Sequence, residues 1–207
     1  MKHLARWFIL SIYGLCYAGE YFQQDVTYDI EVTLNDTDRT LTDRICAHRF
    51  HAPMAPNVAA RMEGRVLSGD DLVGGLDAWQ CHADLVLIEG AGGLLSPLSD
   101  GMLVADLVRL LTSPTLIVAA NRLGTIHQTL ATVEAAQSRG IKVVAVVLNE
   151  VCSDLDPVLR QANKDELKRL MPGIPLCTAG HGGKVSGLLQ EVDFLQWFDA
   201  DRNASDS

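Results

Sequence analysis

The five residues Glu89-Gly90-Ala91-Gly92-Gly93 follow directly on the run Asp84-Leu85-Val86-Leu87-Ile88. An apolar stretch closed by an acid and glycines has the pattern of a buried parallel strand whose carboxyl end delivers a carboxylate to a ligand crevice. Glycines at such a turn let the backbone reach positive φ and approach a polyphosphate closely. A carboxylate there suits magnesium, a hard cation that takes oxygen ligands and shares them with nucleotide phosphates. The same residues could instead form a tight strand-to-helix turn with an incidental surface acid, and the pentapeptide alone does not choose between the two.

The elements that must position this turn are legible from residue 68 onward, where apolar runs alternate with amphipathic segments as in an α/β domain with a mostly parallel sheet. The spacing of Leu72, Leu76 and Trp79 predicts a helix over 68–80 with Ser68 as its N-cap. A strand over 84–88 feeds the glycine turn. Leu103, Leu107, Leu110 and Leu111 share one face of a helix expected over 100–111. Pro114 precedes a strand over 115–120, and a helix over 125–138 ends at Gly140. The valine-rich run 142–148 lacks polar alternation, so both its faces should be covered. A charged helix over 156–170, a loop and short strand over 172–178 and a helix over 188–198 complete the pattern. Residues 20–45 mix Asp, Thr and Asn without a period, and no element is assigned there.

The 207 residues suit one domain with a sizeable core, and a 48% hydrophobic share is ordinary for a globular chain. A formal charge of -9 disfavours nonspecific nucleic-acid binding and points to a small-molecule substrate. Cys16, Cys46, Cys81, Cys152 and Cys177 are scattered without Cys-x-x-Cys spacing, against a zinc site or disulfide framework. Met1-Lys2 and Arg6 before the apolar run 7–16 superficially resemble an export signal. Ser11 and Gly14 interrupt that run and it is too short to span a bilayer, so a cytoplasmic protein with no membrane segment is expected. The aromatic and β-branched content of 7–13 favours a core strand instead.

Five motifs recur in order: Pro53-Met54-Ala55-Pro56-Asn57-Val58-Ala59-Ala60, the Glu89 pentapeptide, Pro97-Leu98-Ser99-Asp100, Leu123-Gly124-Thr125-Ile126-His127 and Val147-Leu148-Asn149-Glu150. Together they resemble dethiobiotin synthetase, from about Arg44 to Pro175. The resemblance implies a P-loop-type α/β domain and a homodimer. It also implies ATP and magnesium (Mg2+) as cofactors, with carbon dioxide (CO2) closing the ureido ring of dethiobiotin on 7,8-diaminononanoate in biotin biosynthesis. In that chemistry a substrate amine captures carbon dioxide as a carbamate, ATP phosphorylates it, and the second amine displaces phosphate.

By the same resemblance Glu89 is the metal and phosphate carboxylate, with Gly90, Ala91 and Gly92 lining the nucleotide. Asn149 matches the position that reads adenine, with Glu150 beside it. An amide suits adenine because it donates and accepts at once; on pattern alone Asn149 would more often be a turn residue. Gly124, Thr125 and Ile126 open a helix whose start binds the substrate carboxylate across the dimer interface, where amides and dipole attract an anion. The Pro53 motif is similar to the family loop over the substrate, with Asn57 standing where family members usually carry His. Asp29 falls at roughly the place of the family's second magnesium carboxylate.

The chain also departs from the family. The glycine-rich loop ending Gly-Lys-Thr, whose amides and lysine hold ATP phosphates, is not found. The segment Gly180-His181-Gly182-Gly183-Lys184-Val185-Ser186-Gly187 has Thr178 in place of the first motif glycine and Val185 in place of the metal-binding hydroxyl. It reads as a flexible loop near the nucleotide base. If Ile9 to Tyr13 is the family's second strand, Gly14, Leu15 and Ala18 stand where a catalytic lysine and a substrate-binding hydroxyl belong. The resulting expectation is that the family's first strand and phosphate loop are missing, which would leave inner strand edges unpaired. Turnover by this polypeptide alone should then be severely reduced. Two other classes fit the same residues: a noncatalytic partner of an intact synthetase, and a different P-loop-type ATPase.

Overall fold

The structure, a computed structural model, describes residues 5–11, 48–52, 54–77, 85–90 and 92–181. The readings that involve residues 20–45, the helix over 188–198 and most of the 180–187 loop lie outside the described residues.

Five strands form one sheet in the order β2-β1-β5-β6-β7: β1 (Ala5–Ser11), β2 (Leu85–Glu89), β5 (Thr115–Ala120), β6 (Val143–Asn149) and β7 (Leu176–Ala179). Every pairing is parallel. The apolar run near the amino end is thus a strand, and it lies inside the sheet. It pairs with β2 through Ala5 to Ile9 and with β5 through Phe8 to Ser11. The inner slot expected to stand empty is therefore filled, and the facing edges of β2 and β5 are covered. A β-strand left with an open edge inside a sheet would strand a row of N–H and C=O groups. Among the described residues, β1 is the strand that precedes β2 and satisfies them.

Burial explains the strand sequences. All of β5 but Val118 is buried, and β6 is buried from Val144 to Leu148, as the unbroken apolar run required. Alternate side chains separate to two faces. Ile117, Ala119, Val146 and Leu148 join the larger cluster, whereas Leu116, Ala145, Val147 and Cys177 form a smaller one. The larger cluster takes in α3 (Val104–Leu111), α4 (Thr125–Gln137) and α5 (Pro157–Leu170) through Val104, Val108, Val133, Ala136 and Leu167.

Local signals set most of the boundaries. Ser68 caps α2 (Gly69–Asp77), its hydroxyl accepting from the Asp71 amide while the Asp71 carboxylate accepts from Ser68 N–H at 2.9 Å. The Ser68 hydroxyl and N–H hold the Asp71 carboxyl below the usual carboxylate range. Asp156 caps α5, accepting from Val158 N–H at 2.9 Å ahead of Pro157. One boundary differs from the sequence reading. Residues 100–103 are not helical; they close a hairpin of β3 (Pro97–Ser99) and β4 (Met102–Leu103), and α3 begins only at Val104. Helical spacing of leucines runs through the hairpin, but Asp100-Gly101 makes the turn there.

Candidate functional site

The parallel register sets Glu89 beside Ile9, Ser11 beside Val118, and Ala120, Asn149 and Ala179 in one row. Glu89 and Asn149 therefore end strands on the same carboxyl edge, where open α/β sheets bind ligands. Three strand spacings separate β2 from β6, roughly 14 Å. The helix start Gly124–Ile126 opens from β5 between them.

At the β2 end, Glu89 is exposed and Gly90 is buried; Ala91 lies outside the described residues. Gly92 has φ +88, and a Cβ there would lie 2.5 Å from the Ser96 hydroxyl, so only glycine fits the turn. The turn leads into the β3–β4 hairpin, not directly into a helix. Its carbonyls cap α3 instead: Val104 N–H donates to Ser96 C=O at 3.0 Å and Ala105 N–H to Leu94 C=O at 2.9 Å. Asp106 accepts from Leu103 N–H at 2.9 Å. The start of α3 is thus satisfied within the protein.

At the β6 end, Asn149 is half-buried and its carbonyl accepts from Asn121 N–H at 2.8 Å. Glu150 N–H donates to Ala179 C=O at 2.9 Å, and its carboxylate forms an ion pair with Arg160 at 2.8 Å. That pair is not also a hydrogen bond, because Arg160 Nε has no hydrogen-bond partner among the described residues. Gly124 takes the left-handed conformation, φ 91, at the N-cap of α4. Thr125 is buried, Ile126 half-buried and His127 exposed. Cys152, three residues past Asn149, has its thiol pushed up by hydrogen bonding to Asp154 and by burial. The neutral form is favoured, against a role as nucleophile.

The first and third motifs come together. Asn57, on α1 (Pro56–Met62), donates to Asp100 Oδ1 at 3.4 Å, and Arg61 one turn later pairs with the same carboxylate. Asn57 thus makes a polar contact with the third motif. Pro53 lies outside the described residues, as does Asp29. Sequence reasoning missed the strap that precedes α1. His51 N–H donates to Glu63 at 2.6 Å, Arg65 donates to Arg49 C=O at 2.8 Å, and the Arg65 guanidinium lies 4.6 Å from the Phe50 ring centre. The His51 N–H also holds the Glu63 carboxyl below its usual range. It missed Asn121 and Asn163 too, two buried amides 42 residues apart joined at 2.8 Å.

Among the described residues no group of three His, Cys, Asp or Glu side chains forms a metal cage. A magnesium ion would take carboxylate oxygen, the donor that Glu89 carries at the end of β2.

A parallel sheet flanked by helices is the architecture of a P-loop NTPase-like α/β domain, and residues 18–177 match the family model described as an AAA domain. The chain is 42% identical over 152 residues to the ATP-dependent dethiobiotin synthetase BioD of Anaeromyxobacter sp., covering 73% of this chain and 66% of that protein. The BioD proteins of Caulobacter vibrioides and Bacillus licheniformis are 41% and 35% identical, with 54% and 64% of their lengths covered. The chain belongs to the dethiobiotin synthetase family. It spans 54% to 66% of the length of these three relatives. No helix among the described residues is long and apolar enough to cross a membrane.

Proposed function

We propose that this chain carries the ligand crevice of a dethiobiotin synthetase, a ligase that closes the ureido ring on 7,8-diaminononanoate with carbon dioxide at the expense of ATP. The observation that supports it most is the row of chemically distinct groups on one sheet edge: an acid on β2, a helix start after β5 and an amide on β6. In this reading Glu89 holds magnesium and the turn Gly90–Gly92 approaches the phosphates, with Asp29 as a second carboxylate. Asn149 reads the adenine, and Glu150, held by Arg160, shapes the wall beside it. The start of α4, Gly124 to Ile126, takes the substrate carboxylate, and the Pro53 loop covers the substrate. Magnesium, when bound, neutralises charge on the transferred phosphoryl group. The family's homodimer would place the α4 start of one subunit at its partner's site, in a cytoplasmic enzyme.

The 207 residues contain no Gly-Lys-Thr loop. Removing one preorganised charge-stabilising donor costs about 2.7 to 4 kcal/mol of barrier. For this polypeptide by itself the proposal is accordingly ligand binding with turnover far below that of a synthetase bearing the loop. Calorimetry on the purified chain tests the crevice. ADP with magnesium should bind, and Glu89→Gln should weaken it roughly tenfold to a hundredfold, the effect of losing a charge-assisted contact, with the magnesium dependence lost. Failure of the unaltered chain to bind nucleotide, or equal affinity for the variant, would overturn the assignment of Glu89.

A further inference from the structure

We propose that Asn163, on α5, is a positioning residue that fixes the turn from which α4 starts. Asn163 is 3% exposed and Asn121, at the end of β5, is 1% exposed. Burying two amides is costly unless they are paired. Asn163 Nδ2 donates to Asn121 Oδ1 at 2.8 Å and to the Arg122 carbonyl at 3.3 Å. The second bond grips the main chain two residues ahead of Gly124, whose left-handed conformation sets the direction of α4. Asn121 N–H donates to the Asn149 carbonyl at 2.8 Å, so the turn is anchored to β6 on its other side.

One turn earlier on α5, Arg160 pairs with Glu150 at 2.8 Å. A single helix therefore braces both chain segments that follow β5 and β6 at the carboxyl edge of the sheet. The two braces are separable in sequence: Asn163 holds 121–122, and Arg160 holds 150. An apolar residue at 163 would leave the Arg122 carbonyl without this partner and the Asn121 oxygen buried unpaired. The turn, not the helix body, should then loosen.

Amide hydrogen exchange on the full chain reads this directly. In Asn163→Leu, exchange over residues 122–127 should speed up by about tenfold or more. Exchange over 130–136 and over 143–149 should stay within about twofold. Asn163→Ala avoids forcing a branched side chain between α5 and the turn, and it should show the same localised effect if the leucine variant does not fold. Unchanged exchange at 122–127 in a folded variant, or equal acceleration in all three segments, would overturn the positioning role. The consequence for ligand rests on the function proposed above: 7,8-diaminononanoate binding should weaken about tenfold in the variant, with ADP affinity unchanged. If neither protein binds diaminononanoate, the functional reading fails while the exchange pattern still decides the role of Asn163.

Discussion

Two turns at the carboxyl edge are held in opposite ways. The turn after β2 is built from glycines and main-chain hydrogen bonds, with Ser96 N–H donating to Gly93 C=O and two of its carbonyls capping α3. Its anchor is apolar, because Leu94 is 3% exposed in the larger core cluster. The turn after β5 has no such apolar pin: Leu123 is 84% exposed. Buried side-chain amides hold it instead. The glycine turn over an apolar pin follows directly on Glu89, which is exposed. The turn after β5 is held by polar contacts that fix the main chain just ahead of the helix start.

If the pin is the main support of the first turn, removing it should produce the largest loss. Leu94→Ala is expected to cost about 2–5 kcal/mol, as for large-to-small changes in cores. A thermal melt should show a fall of several degrees, at about 2–4 °C per kcal/mol for a domain of this size. A loss below about 1 kcal/mol would mean that the main-chain bonds alone carry the turn. Gly92→Ala should come next, at about 1–3 kcal/mol, because the new Cβ meets the Ser96 hydroxyl at 2.5 Å and φ is +88. Pairing it with Ser96→Gly should recover the part due to contact and leave the part due to φ, which a double-mutant cycle separates.

The same contrast decides what could be read from the sequence. The glycine turn was legible because its requirement is local: an acid after an apolar run, then residues without Cβ. Strand 115–120 and the cap at Ser68 were legible for the same reason. The hairpin at 97–103 was hidden because leucine spacing continues through it. The place of Ala5–Ser11 inside the sheet was also hidden, since a strand's neighbours are set by distant segments and not by its own pattern. The Asn121–Asn163 pair had no local signal, as each residue taken singly looks like a surface or turn asparagine. Only burial identifies them. Pro53, Ala91 and Asp29 fall outside the described residues, so their assignment still rests on the motifs alone.

The smallest effect should come from the amide-wired turn, and its size follows from which atoms are paired. Asn121 Oδ1 accepts from Asn163, but Asn121 Nδ2 has no hydrogen-bond partner among the described residues. In Asn121→Leu the lost acceptor leaves Asn163 still bonded to the Arg122 carbonyl, so the donor is not stranded. Removing Nδ2 also removes a buried group whose desolvation was uncompensated, which offsets part of the loss. The net cost should lie near about 1 kcal/mol, at the lower end for a broken buried pair. A denaturant melt should register it as a lower midpoint with unchanged slope. A loss of about 3 kcal/mol or more would mean that Asn121 Nδ2 is satisfied after all. The two turns would then differ in chemistry but not in how strongly they are held.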